Sequence, residues 1–323
     1  MSAEDRVFLA AAGRWTTRAG FGCSGLMGAL SRRESLALLS AAWDAGVRHF
    51  DVAPLYGHGE AERVLGSFLA GRRDEATIVT KFGLEPTGNS KFLEIARAVA
   101  RPLLRKVSAH RPPVAANTIT GNTSSASVRE PFDPREAERS LMRSLRALQT
   151  DRIDVLLLHE PEIALLPDDA ILTFLENSVR KGLIGAFGIG GASGKAWNMF
   201  QRRPRYCPVV QCDWSPFEDE APHYPGSDLI VFGVLAHARS HRGGASRIGP
   251  EVILRATALA LPNSVILFSS RKAAHVISST RALTDSTLDS AAGHLLASAG
   301  KSRIPLSESP VPAAPDSVHA PKA

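Results

Sequence analysis

Four polar residues stand at or just past the ends of short apolar runs. Asp51 follows residues 47–50, Lys81 follows 77–80, His159 follows 153–158, and Tyr56 lies five residues beyond Asp51 in the loop DVAPLYGHGE. A phenol, an ammonium, a carboxylate and an imidazole in one pocket suit proton exchange with a carbonyl oxygen. Hydride addition to a carbonyl leaves an alkoxide that must be protonated. A tyrosine, ordinarily titrating near pH ~10, is a weak acid for that task unless its surroundings help. A nearby lysine favours the phenolate and lowers its pKa, an aspartate keeps the lysine charged, and a histidine orients the substrate oxygen. The hydride has to come from a cofactor, because no side chain supplies one.

These residues share a pocket only if their strands are parallel neighbours whose carboxyl ends meet on one face. The chain supports that arrangement. Residues 6–10 and 15–18 read as a β-hairpin around Gly13, and 20–23 as a first barrel strand. Ser31 and Glu34 form a capping box for a helix that runs to Ala45 and closes at Gly46. Strand 47–51, helix 60–69 and strand 77–81 follow. Asp133, Pro134 and Glu136 open the next helix, with Leu141, Leu145 and Leu148 on one side. Strand 153–159, helix 168–181, strand 184–189 and helix 192–200 continue the alternation. Strands at 208–212, 229–234 and 264–268, with a helix over 250–261, complete it. Eight strands alternating with helices, and no GxGxxG after a first strand, predict an α/β fold: an eight-fold parallel β/α (TIM) barrel with an N-terminal β-hairpin. One barrel is expected over 1–303. Residues 85–130 interrupt it as an insertion after the third strand, and the Pro-, Ser- and Ala-rich stretch 304–323 reads as a disordered tail.

The bulk composition narrows the function classes. A chain of 323 residues, 44% of them hydrophobic, can bury a large core. Its net charge of +6 favours anionic ligands, which a phosphorylated cofactor satisfies without nucleic acid; no basic stripe with interleaved aromatics is present. Cys23, Cys207 and Cys212 form no CxxC pair and no metal spacing, and fit a reducing compartment. His49, His58 and His110 lack metal-ligand company, and Glu160, Asp154 and Asp213 read as structural. No apolar stretch is long enough for a membrane span, and the acidic N-terminal segment is not a signal peptide, so a cytoplasmic location is expected.

The segments HFDVAPLYGHGEAERVLG, ATIVTKFG, RSLRALQTDRIDVLLLHEPE, GLIGAFGIGG and VVQCDWSPF resemble the aldo-keto reductase family over most of residues 15–300. They are closer to its branch of aldose and galactose dehydrogenases than to aldose reductase. The resemblance implies Tyr56 as general acid or base, Asp51 and Lys81 as its tuning pair, and His159 as the orienting group. It implies cofactor contacts from Gly190, from Gln211 at the nicotinamide carboxamide, and from Trp214 as a ring stacked on the nicotinamide. Ser269, Ser270, Arg271 and Lys272 match a phosphate-binding loop and helix start, which favours NADP(H) while leaving NAD(H) possible. The chain departs from the family pattern at Gly190-Gly191, where Ser-Asn is usual. It departs again at Leu267-Phe268, where a glycine is common, and at Ser278-Ser279, near which a Glu-Asn pair reads the adenine.

The expected activity is hydride transfer between a nicotinamide and a small-molecule carbonyl, or the matching alcohol or sugar hydroxyl. The alternative is a non-catalytic cofactor-binding or scaffold protein on the same barrel. A third reading, a basic surface for nucleic acid or anionic membrane centred on residues 88–130, predicts salt-sensitive retention on such surfaces. Substrate choice is assigned to the loops at 86–130, after Pro216 and after Leu235.

Overall fold

Why the strands close into a ring follows from their period-two patterning. In strand Ile153–His159, Val155 and Leu157 face one apolar cluster while Leu156 and Leu158 face another, so both sides are buried, as a parallel barrel strand requires. A computed structural model of the chain describes residues 5–28, 30–86, 127–129, 132–166, 168–218, 220–240 and 248–298. Most of the 85–130 insertion and the whole 304–323 tail lie outside the described residues.

In chain order the strands are β1 (Arg6–Leu9), β2 (Arg14–Thr17), β3 (Ala19–Gly22), β4 (His49–Asp51), β5 (Thr77–Phe82), β6 (Leu84–Pro86), β7 (Ser127–Arg129), β8 (Ile153–His159), β9 (Ile184–Gly191), β10 (Val209–Asp213), β11 (Asp228–Phe232) and β12 (Val265–Phe268). The α-helices are α1 (Arg32–Asp44), α2 (Ala61–Leu69), α3 (Pro134–Leu148), α4 (Ala170–Arg180), α5 (Ser193–Arg202), α6 (Val234–Ser240), α7 (Pro250–Ala260), α8 (Ala273–Ala282) and α9 (Asp289–Ser298). Strands β3, β4, β5, β8, β9, β10, β11 and β12 form a closed parallel barrel, β12 pairing back onto β3. The expected fold is present. The expected strand starts at Val47 and Pro208 fall one or two residues before the observed pairing. Helices α6 and α9 were not foreseen.

The hairpin β1–β2 closes the amino-terminal end of the barrel. Val7 and Leu9 pack with Val79, Val155, Leu157, Ala186, Val209, Ile230, Val265 and Leu267 inside the ring. The hairpin turn is tied down by Asp228, whose two carboxylate oxygens accept from the N–H groups of Ala10 and Ala11 at 2.9 and 2.8 Å. Beside it, Asp154 at the start of β8 accepts from Ile78 N at 2.7 Å and pairs with Arg73 at 2.9 Å and with Arg14. These carboxylates hold the closed end, which bears out the structural reading of Asp154.

Local signals set the helix starts. Ser31 Oγ accepts from Glu34 N at 3.3 Å, and the Glu34 carboxylate accepts from Ser31 N at 2.8 Å, so the capping box is complete. Asp133 Oδ1 accepts from Arg135 N and Glu136 N at 2.9 and 3.1 Å ahead of Pro134. The Glu136 carboxylate turns to Arg139. The insertion begins and ends in a short antiparallel ribbon, β6 with β7, standing directly past Lys81 on the carboxyl side of the barrel.

Candidate active site

Asp51, Lys81, His159 and Gln211 each lie two residues beyond an inward-facing residue of their own strand: His49, Val79, Leu157 and Val209. Period two therefore turns all four into the same space at the carboxyl end of the ring. The register brings Gly22 opposite Asp51, Lys81 opposite Leu157, and Gly190 opposite both His159 and Gln211.

Tyr56 reaches this space from the loop after β4. The turn over Tyr56–Gly59 has Gly57 and His58 both at φ 57°, a left-handed pair that non-glycine residues adopt at a cost. Gly57 is required there for a second reason. A Cβ on it would stand 2.4 Å from the Leu26 carbonyl oxygen, so the turn lies flush on the loop after β3.

The geometry is tight. Lys81 Nζ donates to both oxygens of Asp51 at 2.7 Å, lies 3.4 Å from Val52 O, and donates to the Tyr56 hydroxyl at 3.5 Å. Asp51 is 4% exposed and Lys81 3%, so this is a buried ion pair. The Tyr56 and His159 rings meet edge to face, with centroids 6.4 Å apart. Gln211 Nε2 donates to Asp51 Oδ2 at 2.7 Å.

Electrostatics follow from burial. Loss of water raises the Tyr56 phenol above its ordinary value; Lys81 pulls it down, Asp51 pushes it up, and the balance is upward. Lys81 acts in the direction expected from sequence, but burial outweighs it. Burial alone would lower the Lys81 ammonium, yet Asp51 and then Tyr56 favour its charged form, and the net direction is upward. Cys23, at the end of β3, is held well above its usual range by burial and then by Asp51. His49, in the ring below Asp51, is lowered to about 3 by burial, Arg14 and Lys81.

The remaining sequence-singled residues divide into two groups. Gly190 and Gln211 join the polar cluster. Trp214, just past β10, is 3% exposed and packs into the core between barrel and helices, its indole N–H donating to Glu220 O at 2.8 Å. Ser269 follows β12 and donates to Gly22 O at 2.8 Å, which fixes the next loop beside the Asp51 strand. Ser270 accepts from Lys272 N at 3.1 Å, Arg271 and Lys272 are exposed, and α8 starts at Ala273 with no side-chain cap. Two exposed cations before an uncapped helix start fit an anionic phosphate group.

Sequence reasoning missed the Gln211–Asp51 bond, which joins residues 160 apart. It also missed a carboxylate–imidazole cluster at the same end of the barrel. His237 contacts Asp213 Oδ2 through Nε2 at 3.0 Å and Glu218 Oε1 through Nδ1 at 3.1 Å. Asp213 Oδ1 also accepts from Ser193 N at 2.6 Å, which serves the start of α5.

The model of the aldo/keto reductase family matches residues 18–223, well over half of the chain. The chain belongs to the aldo/keto reductase family. A D-threo-aldose 1-dehydrogenase from Pseudomonas sp is 35% identical over 189 residues, 56% of this chain and 52% of that protein. A pyridoxal 4-dehydrogenase from Microbacterium luteolum is 40% identical over 86 residues, 26% of this chain and 25% of that protein. The chain thus spans about half, or less, of the length of these relatives. Among solved structures, an aldo-keto reductase from Klebsiella pneumoniae in complex with NADPH superimposes with a TM-score of 0.61 at 19% identity, covering 88% of this chain and 93% of that one. That likeness is one of fold. Among the described residues no helix is long and apolar enough to cross a membrane.

Proposed function

We propose that this aldo/keto reductase transfers a hydride between NADP(H) and an aldehyde or ketone, or the corresponding alcohol or sugar hydroxyl, with Tyr56 as proton donor and acceptor. The observation that carries the reading is the Lys81 ammonium bridging the Asp51 carboxylate and the Tyr56 hydroxyl in a buried pocket. A nicotinamide, when bound, supplies or takes the hydride. In reduction the Tyr56 O–H gives its proton to the oxygen of the former carbonyl. Lys81, kept charged by Asp51, then stabilises the phenolate. His159, edge-on to Tyr56, holds the same substrate oxygen. In oxidation the flow reverses: the substrate O–H proton goes to the Tyr56 phenolate as the carbon gives up its hydride and the C=O bond forms.

The names of the relatives favour a particular hydroxyl. An aldose closes onto itself as a cyclic hemiacetal, and pyridoxal carries a hydroxyl within reach of its aldehyde and can do the same. Loss of one hydride from carbon and one proton from the hemiacetal oxygen gives a lactone, and the Tyr56–Lys81 arrangement supplies the proton half of that reaction. Ser269, Ser270, Arg271 and Lys272 are assigned to a 2′-phosphate of the cofactor, and Gly190 and Gln211 to its carboxamide; Trp214, buried in the core beside the helices, is not assigned to its ring. Three free cysteines support a cytoplasmic location.

Tyr56→Phe is the test. It should lower turnover by about 10²–10⁴-fold, the range for a positioned acid–base group, while NADPH binding followed by tryptophan quenching is retained. Because the Tyr56 phenol is raised, reduction should hold steady through neutral pH and oxidation should climb toward alkaline pH. Unchanged turnover in the variant would sink the reading. A wild-type protein that binds nucleotide but turns over no aldehyde, ketone or aldose would favour the non-catalytic barrel instead.

A further inference from the structure

The carboxamide of Gln211 faces two ways. Its Nε2 donates to Asp51 Oδ2 at 2.7 Å, the same oxygen on which Lys81 Nζ sits at 2.7 Å. A carboxylate only accepts, so the amide nitrogen must be the end turned to Asp51. The amide oxygen then faces β9, where a Cβ added to Gly190 would lie 3.0 Å from Oε1 and 3.3 Å from Leu157 Cδ1. Gln211 is 2% exposed, so bulk water does not compete for either end. Gly190, its register partner, is what leaves room for this posture. Any side chain there would press the amide away from its present place.

We infer that Gln211, beyond the carboxamide contact already assigned to it, is a positioning residue for Asp51: its amide nitrogen holds the carboxylate, so that one side chain joins the cofactor site to the proton-transfer group. The inference rests on the function proposed above. Its physical content lies in the third hydrogen bond on Asp51. That bond spreads the carboxylate charge and pins the carboxylate to the β10 wall, which leaves Lys81 free to lean on Tyr56 at 3.5 Å. Without it Asp51 draws Lys81 more strongly, and the Tyr56 phenolate is less well stabilised. The groups that bear on Tyr56 are Lys81 from β5, Asp51 from β4, Cys23 from the loop after β3, and His159 from β8. His49 sits below and is itself held down by Lys81.

Two variants isolate the effect. Gln211→Leu removes both ends of the amide with little change in volume, and Gly190→Ala keeps the amide but crowds it. The chain has three tyrosines, so ring-carbon NMR of the cofactor-free protein can follow Tyr56 directly, its signal identified by loss in Tyr56→Phe. In both variants Tyr56 ionisation should begin at a pH higher by about half a unit or more, and the alkaline limb of the kcat profile should move with it. Gln211→Leu should also raise the KM for NADPH by about tenfold, the loss of one neutral hydrogen bond. A raised KM with both the Tyr56 signal and the kcat limb unmoved would make Gln211 a cofactor contact only and overturn the inference. A shifted Tyr56 signal with unchanged NADPH affinity would overturn the cofactor half. If Gln211→Leu does not fold, Gly190→Ala alone decides the Asp51 half. A wild-type protein without turnover, in which these variants still shift Tyr56, would retire the proposed function and leave the positioning of Asp51 standing.

Discussion

Removing Lys81 tests whether the centre of this site is a coupled buried ion pair. In Lys81→Met the thioether fills the space of the lysine stem and leaves Asp51 with one donor, Gln211, on Oδ2. Both partners of the pair are buried, with side chains 3% and 5% exposed and contacts of 2.7 Å. Stranding one partner of such a pair costs about 3–5 kcal/mol, and the surviving Gln211 bond puts the expectation near ~3. At roughly 2–4 °C per kcal/mol for a large domain, the Tm should fall by about 6–12 °C. The double variant Asp51→Leu/Lys81→Met should recover most of that loss, because an apolar pair leaves no stranded charge.

Equal stability of Lys81→Met and wild type at neutral pH would refute the argument, and so would a double variant as unstable as the single one. Both variants should lack turnover.

Other outcomes follow from groups away from the reacting centre or at its edge. His49 is neutral in the fold, with its pKa lowered from 6.5 to about 3. Stability is therefore complete above the unfolded value and is lost as pH falls from there toward about 3, by up to ~4–5 kcal/mol at ~1.4 per unit. Urea titrations of wild type and His49→Leu should diverge across that window, with the variant less acid-sensitive. Asp154→Ala should cost about 3–5 kcal/mol in denaturant unfolding by stranding Arg14, Arg73 and the Ile78 N–H, with kcat little changed. Arg271→Ala and Lys272→Ala should each weaken NADPH binding by about tenfold and leave NADH untouched, read by fluorescence titration; equal losses for both nucleotides would remove the 2′-phosphate assignment.

Much of the barrel is legible in sequence because its signals are local. Strand Ile153–His159 has the bounds expected from its apolar run, and Ser31 with Glu34 and Asp133 with Pro134 mark helix starts through bonds spanning three residues or fewer. Asp51, Lys81 and His159 are legible because strand ends and period two bring them together, whereas Tyr56 is legible through its spacing from Asp51 in the loop that follows. What escaped is non-local or weakly patterned. Helix Asp289–Ser298, DSAAGHLLAS, is rich in small residues and shows little apolar periodicity, yet it packs on α7, where Arg255 reaches Asp289 at 2.5 Å. The ribbon β6–β7 pairs residues about forty positions apart, with no turn signature to announce it. Trp214 reads in sequence as an aromatic platform after a strand. Its burial against the helices and its bond to Glu220 depend on a loop whose path no local rule dictates.

Small residues and charge belong to one argument in this site. The lower interior of the ring is mostly apolar from Val7 and Leu9 upward, with His49 buried among these side chains, so the polar layer above rests on a floor of low polarity. In that setting every charge interaction is strong, and every unpaired group is costly. Long polar side chains can occupy the layer only where the opposite strand leaves space. The register provides that space: Gly22 stands opposite Asp51, and Gly190 opposite both His159 and Gln211. A Cβ at Gly22 would come within 2.5 Å of Ser269 Oγ, and one at Gly190 within 3.0 Å of Gln211 Oε1. Each glycine thus sets where a hydrogen-bonding group can stand, and through Asp51 and Lys81 it sets how readily Tyr56 gives up its proton. A substitution at Gly190 should therefore register first as a change in the ionisation of Tyr56, with loss of fold a lesser effect.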